Sequence, residues 1–248
     1  MSEEVKKLSR KDKKEKKKAE KLKKKREVRL FPANKKGKHK MRVMDLLRIM
    51  FYPIHSIVYP FKLYGNKKVG KGAYVYVGNH YCLWDIFYPA HTTWEGIHFL
   101  AKQSILEAPI VGSWARGCGV IGAQRDGSDV RTVMDAMRVL KNGEKISIFP
   151  EGTRNKVSDE EFLPFHGGAA MFAIKTKTPV IPFAICNRPK VFRKTHVVFG
   201  EPMEFTEYYG KKLTAADYEE AEEKLKNAIY TLREEHRAFL REKKRKRK

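Results

Sequence analysis

The chain has 248 residues with 53 Lys and Arg against 29 Asp and Glu, a formal net charge of +24, and this length is ample for one domain with appendages. The charge is concentrated at the ends: residues 1–40 carry 19 Lys and Arg against 6 Asp and Glu, and residues 241–248 carry 7 against 1. The remaining charge, about +5 for residues 41–240, is ordinary for a folded domain and argues against a nucleic-acid-binding core.

Residues 1–40 are therefore predicted to be a basic, flexible tail, and residues 241–248 a second basic tail. Such tails suit an anionic bilayer, RNA or an acidic protein, and a solvated extension without a partner explains them equally well. The three cysteines are odd in number and form no C-x-x-C pair, which favours a reducing cytoplasmic setting. The Lys- and Glu-rich start has no apolar run typical of a signal peptide.

Residues 41–64 are rich in Leu, Ile, Met, Phe and Tyr, and we expect Pro53 to divide them into two short helices. Their longest uncharged run, Ile49–Phe61, falls short of the roughly 20 residues that a spanning helix needs. The segment predicts helices that dock in the interface of a bilayer. A helical cap on the protein core explains the same pattern.

Residues 65–240 alternate apolar runs with helical patterns, which predicts an α/β sandwich with a mixed, largely parallel central sheet. The predicted strands are Ala73–Gly78, Ile97–Ala101, Gly119–Ala123, Lys145–Phe149, Val180–Ile185 and His196–Phe199, and the predicted helices are Asp129–Leu140 and Gly168–Thr176. A last helix begins at a capping box, Thr214–Asp217. Its apolar stripe comprises Tyr218, Ala221, Leu225, Ala228, Leu232 and Phe239.

A first motif, Asn79–Asp85, reads Asn-His-Tyr-Cys-Leu-Trp-Asp and directly follows a predicted strand. Open α/β sheets place active-site groups at this point. If His80 lies in the turn before a helix and Asp85 one turn inside it, the carboxylate can bind one ring nitrogen and leave the other as a base. The spacing alone is a weak signal, because a histidine at the end of a strand is more often a surface residue.

A second motif, Phe149–Arg154, reads Phe-Pro-Glu-Gly-Thr-Arg and follows another predicted strand, so the two motifs can meet at one sheet edge. Gly152 permits a tight turn, and the permanent charge of Arg154 suits phosphate. Glu151 is expected to fix Arg154 or to bind a substrate hydroxyl. Taken alone, this motif is also explained by a structural salt bridge. Together, a base and an anion site are what an acyl transfer onto the hydroxyl of a phosphorylated alcohol would need.

The two motifs resemble the first and third motifs of the glycerolipid acyltransferases, and more narrowly those of the bacterial 1-acylglycerol-3-phosphate acyltransferases. The family's second motif is matched by Lys102-Gln-Ser-Ile-Leu, Pro109, Gly112, Gly119 and Arg125, and its fourth by Pro179-Val-Ile-Pro182. The resemblance covers about residues 45–205. It departs from the family at His166, where a lysine is usual, and at Gln124, where an acidic residue is usual.

The resemblance implies an enzyme that transfers an acyl chain from a thioester, either acyl-CoA or acyl carrier protein, to the sn-2 hydroxyl of lysophosphatidic acid. His80 would be the general base and Asp85 would orient it. The phosphate would be held by Arg125, Arg154 and Lys102, and the acceptor site would be shaped by Glu151 and Gly152. Backbone N–H groups at Tyr81–Leu83 are expected to stabilise the oxyanion. No metal and no redox cofactor is expected.

Under this interpretation residues 65–240 are the acyltransferase domain, placed at the cytoplasmic face of the cell membrane as a peripheral or monotopic protein. Its expected partners are the two substrates and an anionic membrane surface, not nucleic acid. Three alternatives stay open. The acceptor can be glycerol 3-phosphate or another lysolipid, the acyl group can pass through Cys82 with His80 as its base, or the chain can be a non-catalytic protein that binds a polyanion or a membrane.

Overall fold

The structure is a computed structural model that describes residues 42–67, 69–123, 130–166 and 168–246. The predicted basic tail of residues 1–40 lies outside the described residues, as do Gln124 and Arg125 of the second family motif.

Seven strands of the described chain form one mixed sheet in the order β1-β7-β6-β2-β5-β3-β4. Their bounds are β1 Phe61–Gly65, β2 Tyr74–Gly78, β3 Ile97–Lys102, β4 Ile121–Ala123, β5 Lys145–Ile148, β6 Val180–Ile185 and β7 Thr195–Phe199. Only β6 and β7 pair antiparallel among these neighbours. The carboxyl ends of β2 to β6 therefore lie at one edge, and the predicted mixed, largely parallel sheet is confirmed.

Strands β2 and β6 form at the centre because their sequences are largely apolar on both faces, as parallel strands covered by helices require. All six residues of β6 are buried, and Val75, Tyr76 and Val77 of β2 are completely inaccessible. The flanking helices are α1 Arg42–Val58, α2 Phe87–Ala90, α3 Gln103–Glu107, α4 Val111–Gly117, α5 Val130–Lys141, α6 Ala169–Thr176 and α7 Ala215–Arg245, with short 3-10 turns at Leu83–Ile86 and Thr206–Tyr208.

The segment before the sheet differs from its prediction in two respects. Helix α1 is continuous with Pro53 inside it, so the predicted division into two helices is wrong. Proline removes the N–H that would bind the Ile49 carbonyl, but both residues lie on an exposed face where water can replace that donor. Phe61–Gly65 is not helical, because it pairs in parallel with β7 as the edge strand β1. No helix among the described residues combines the length and the apolar character that crossing a bilayer demands.

Helix α7 begins at the predicted capping box, in which Thr214 and Asp217 exchange hydrogen bonds. It continues through residues 241–245, which were predicted as part of a separate tail. The predicted apolar stripe is right for Ala221 and Leu225, which are buried, and wrong for Phe239, which is 48% exposed. Further along α7 the buried residues are Ile229, Arg233 and His236. Arg233 is tolerated there because carbonyls of the loop at residues 159–160 accept its N–H groups.

Candidate active site

His80 and Asp85 form a hydrogen-bonded pair at the carboxyl end of β2. His80 Nδ1 lies 2.9 Å from Asp85 Oδ2, with the imidazole 17% exposed and the carboxyl group fully buried. His80 lies in the turn that follows the strand, and Asp85 lies in the 3-10 turn Leu83–Ile86, as the spacing predicted. Among the described residues no group binds the other ring nitrogen, Nε2. The pair therefore presents one free nitrogen with a fixed orientation, as a general base requires.

Asp85 also organises the backbone that carries His80. Its Oδ2 accepts the N–H of Tyr81 at 2.6 Å and of Cys82 at 2.7 Å, and its Oδ1 accepts the thiol of Cys82 at 3.3 Å. Because a carboxylate is stabilised by several N–H donors, these bonds compensate for its complete burial. They also correct the expected oxyanion site, since two of the three backbone donors at Tyr81–Leu83 are already used by Asp85.

Glu151 holds His80 through the backbone and does not contact Arg154. Its Oε1 accepts the His80 N–H at 2.9 Å, and its Oε2 accepts the Leu163 N–H at 3.1 Å. The residue is 1% exposed, and burial raises the pKa of its carboxyl group against the opposing effect of the two N–H donors. The expected contact with Arg154 is therefore wrong, and the expected bond to a substrate hydroxyl stays a prediction. Glu151 lies behind His80 and joins two segments that are 71 residues apart in sequence.

Other residues of the turn after β5 also hold His80 in place. The N–H of Asn155 donates to the His80 carbonyl at 2.7 Å, so both backbone groups of His80 are held by residues 151–155. The rings of Phe149 and His80 stack with centroids 4.2 Å apart. Gly152 adopts φ 61°, a left-handed conformation that favours glycine, and its N–H donates to the Phe149 carbonyl at 3.0 Å.

The structure brings His80, Asp85 and Glu151 into direct contact, and it places two of the predicted cations, Lys102 and Arg154, at the same edge. Lys102 is exposed at the carboxyl end of β3, and Arg154 is exposed just after the turn that follows β5. Arg125 lies outside the described residues. The described part of the chain contains no group of three or more His, Cys, Asp or Glu arranged to hold a metal ion.

Sequence reasoning assigned no role to several residues that support the site. Asn79 exchanges two hydrogen bonds with Ile185 at 2.8 and 3.2 Å, which extends the pairing of β2 with β6 up to His80. Arg188 donates to Asn155 and to Asp159, each at 2.7 Å, and so fixes the loop that carries Leu163. Only Asn79, which precedes the base in the first motif, carried a local signal. Partners of Arg188 more than 25 residues away are not indicated by any sequence pattern.

The orientation and the environment of the Cys82 thiol do not suit a nucleophile. Its thiol points at Asp85, and burial together with the charge of Asp85 raises the pKa of the thiol to about 12. The thiolate is the reactive form of cysteine, so a thiol with this pKa is protonated and weakly nucleophilic at neutral pH. The geometry favours direct transfer over a route through an acyl-cysteine.

We expect Cys82→Ala to retain acyl transfer within about threefold of the wild-type rate, because the hydrogen bond lost is a weak one from a neutral thiol. The rate should be measured as thiol released from the acyl donor, and intact-protein mass spectrometry should show no acyl adduct during turnover. A complete loss of activity in a folded Cys82→Ala protein, or an adduct mapped to Cys82, would contradict direct transfer.

We expect Glu151→Gln to lower kcat about tenfold to a hundredfold, since a carboxamide has one acceptor oxygen where His80 and Leu163 require two. The matched control is Glu161→Gln on the same loop, whose exposed side chain makes no recorded contact with His80. Rates and circular dichroism should be recorded for both variants. Equal rates for the two variants would show that the backbone of His80 does not depend on Glu151.

Comparison with known proteins relates this geometry to a family. The family model described as Acyltransferase matches residues 60–186, just over half of the chain, and that range contains His80, Asp85 and Glu151. The chain belongs to the acyltransferase family. It is also similar to a solved structure, the 1-acyl-sn-glycerophosphate (LPA) acyltransferase PlsC from Thermotoga maritima. The two share 26% identity with a TM-score of 0.55, over 77% of this chain and 78% of the other.

Two relatives of this acyltransferase-family chain are named 1-acyl-sn-glycerol-3-phosphate acyltransferases. The chloroplastic BAT2 protein of Brassica napus is 35% identical over 122 residues, 47% of this chain and 34% of that protein. The Borreliella burgdorferi protein is 32% identical over 139 residues, 55% of this chain and 54% of that protein. The chain thus spans roughly a third to a half of the length of these relatives.

Proposed function

We propose that this chain transfers an acyl group from a thioester to the sn-2 hydroxyl of lysophosphatidic acid, forming phosphatidic acid. The single observation that carries the proposal is the His80–Asp85 pair, which leaves one imidazole nitrogen unbound at the active-site edge. Membership of the acyltransferase family supports the reaction class, and the names of the relatives support the acceptor.

The proposed reaction needs one proton acceptor and no metal. His80 Nε2 takes the proton of the acceptor hydroxyl while that oxygen attacks the thioester carbonyl carbon. The carbon–sulfur bond of the tetrahedral intermediate then breaks, and the imidazolium returns the proton to the departing thiolate. Asp85 lies against Nδ1 throughout, so its charge stabilises the imidazolium and keeps the ring in one orientation.

The acceptor phosphate is proposed to bind to cations at the same edge. Lys102 and Arg154 are exposed there, at the ends of neighbouring strands β3 and β5, and Arg125 follows β4 in the sequence. Guanidinium groups bind phosphate oxygens in pairs, which orients the glycerol backbone towards the base. Gly152 shapes the acceptor side, because a Cβ there would lie 3.3 Å from Cδ2 of His166. Of the expected backbone donors, Leu83 is left for the oxyanion.

The lipid acceptor implies that the enzyme works at a bilayer, and we propose a peripheral or monotopic position on the cytoplasmic face of the cell membrane. Helix α1 supports this with an exposed apolar face that comprises Leu46, Ile49, Met50, Ile54 and Ile57. The basic sequences at both ends of the chain supply attraction to anionic lipid. Acyl-CoA and acyl carrier protein are both proposed donors, since each is anionic and suits a basic enzyme.

The test is thiol release from acyl-CoA and, separately, from acyl carrier protein, with lysophosphatidic acid in mixed micelles. The expected result is release that depends on the acceptor and yields phosphatidic acid by mass spectrometry. The matched control is the acceptor analogue that lacks the sn-2 hydroxyl, which should give no release. If glycerol 3-phosphate or another lysolipid is acylated and lysophosphatidic acid is not, the proposed acceptor is wrong. If no acceptor supports release, the proposed activity is wrong.

A further inference from the structure

The loop between β6 and β7 ends in a tight turn with an apolar tip. The N–H of Arg193 donates to the Lys190 carbonyl at 3.0 Å and closes the turn. Its two central residues, Val191 and Phe192, are 50% and 73% exposed. Lys190, Arg193 and Lys194 beside them are also exposed, and no Asp or Glu occurs between residues 187 and 200. The tip is therefore apolar at its centre and carries only positive charge around it.

Phe192 is held outward in a strained conformation. Its φ is 56°, in the left-handed region where a bulky residue is uncommon and glycine or asparagine is usual. Its N–H donates to the carbonyl of Val58, the last residue of α1, at 2.7 Å. The N–H of Thr195 donates to the Pro60 carbonyl at 2.7 Å, which secures the other side of the turn. Backbone strain that retains an exposed aromatic ring points to a function of that ring.

The turn lies at the same edge of the sheet as the proposed base. Strand β6 is parallel to β2, with Phe183 opposite Gly78, so the chain leaves β6 on the side where His80 follows β2. The hydrogen bond to Val58 places the turn beside the end of α1, where Ile54 and Ile57 are 53% and 68% exposed. Two apolar elements from distant parts of the sequence thus form one surface at the active-site edge.

We propose that Lys190–Lys194 is a membrane wedge: Val191 and Phe192 enter the interface of an anionic bilayer, and the three cations bind lipid phosphates around them. Charge and polarity favour a bilayer over an acidic protein. The apolar tip can enter the hydrocarbon, and the anionic headgroups just above the hydrocarbon can bind the three cations. An acidic protein would pair with the cations but would need a separate apolar pocket for the tip. The wedge rests on the proposed function in one respect, since a lipid acceptor requires this edge to face the membrane.

The test is flotation of the full chain with vesicles of phosphatidylcholine, with and without phosphatidylglycerol. Phe192→Gly removes the ring and supplies the residue that the left-handed conformation favours. We expect its melting temperature to equal or exceed that of the wild type, while its affinity for anionic vesicles falls about tenfold. Trp94→Ser is the matched control, because Trp94 is 84% exposed but precedes β3 at the opposite edge. It should bind vesicles like the wild type.

Substitution of the cations gives a second, independent test of the membrane wedge. Lys190→Gln and Lys194→Gln should each weaken binding about fivefold, with anionic vesicles only, and the loss should shrink as salt is added. If Phe192→Gly floats with wild-type affinity, or if Trp94→Ser loses as much affinity as Phe192→Gly, the wedge is wrong. Retained vesicle binding with loss of binding to an acidic protein would assign the turn to a protein partner instead.

Activity assays separate this proposal from the proposed function. Phe192→Gly should acylate a short-chain, water-soluble lysophosphatidic acid at the wild-type rate and a vesicle-embedded one more slowly. Loss with the soluble acceptor as well would show that the turn supports the site structurally, which would overturn the wedge. If the wild type transfers no acyl group, the proposed function fails, whereas flotation without substrate still decides the wedge.

Discussion

His80→Ala is expected to lower kcat for acyl transfer about a thousandfold, while the acceptor KM changes little. General base catalysis contributes a factor on the order of 10² to 10⁴. No other described group of the site lies where it could accept the proton in place of His80 Nε2. The fold should persist, because the imidazole makes one recorded side-chain hydrogen bond, to Asp85, and the loss of such a bond costs about 1 kcal/mol. The measurement is the initial rate of acceptor-dependent thiol release.

The matched control is His196→Gln, which changes a histidine whose Nδ1 also makes a 2.9 Å hydrogen bond, to the hydroxyl of Tyr64. His196 lies in β7, which β6 separates from β2, and its ring bonds Tyr64 and not His80, so its substitution should leave the rate unchanged. A His80→Ala protein that transfers acyl groups at a rate close to that of His196→Gln would eliminate His80 as the base.

Two substitutions at Asp85 are expected to separate catalysis from stability. Asp85→Asn keeps an acceptor oxygen for the N–H groups of Tyr81 and Cys82 but removes the charge beside His80, so we expect a folded protein with kcat about 10²- to 10⁴-fold lower. Asp85→Ala leaves both N–H groups buried without an acceptor. Because an unsatisfied buried donor costs about 1–3 kcal/mol, its free energy of unfolding should fall by several times more than that of Asp85→Asn.

Urea unfolding and thiol release, measured on both variants, give the comparison. Near-wild-type activity in Asp85→Asn would show that catalysis does not need the negative charge of Asp85. The carboxylate would then act only as an acceptor for the N–H groups of Tyr81 and Cys82. Equal losses of stability in both variants would show that the two N–H groups do not depend on Asp85. Vesicle flotation should be unchanged in Asp85→Asn, since the residue is fully buried.

Much of the fold followed from local sequence patterns. Buried strands such as Val180–Ile185 are continuous apolar runs, and helix α7 begins at a capping box formed within four residues. Both signals depend on residues that are close together in the chain, so they can be recognised without knowledge of the tertiary structure. The His80–Asp85 pair belongs to the same class, because a strand end followed by a short turn brings residues five apart into contact.

Other features were decided by contacts between distant segments. Residues 61–64 were predicted as part of a helical segment, and they lie in the strand Phe61–Gly65 because β7 offers unpaired backbone groups beside it. The buried Arg233 depends on carbonyls of residues 159 and 160, more than 70 positions earlier. Local patterns carry no information on such partners, so they predicted the strand wrongly and gave no sign that Arg233 is buried.

The amino-acid sequence by itself determined the alternating α/β architecture, the basic ends, the two motifs and the proximity of His80 to Asp85. Only the tertiary structure decided that Glu151 supports the backbone of His80, that Asp85 occupies two of the expected oxyanion donors, and that Phe192 is held outward at the site edge. The physical reason is shared by all three. Each depends on which backbone groups need a hydrogen-bond partner once the chain has folded. Glu151 and Phe192 bond groups of distant segments, and Asp85 bonds two N–H groups of the tight turn after β2.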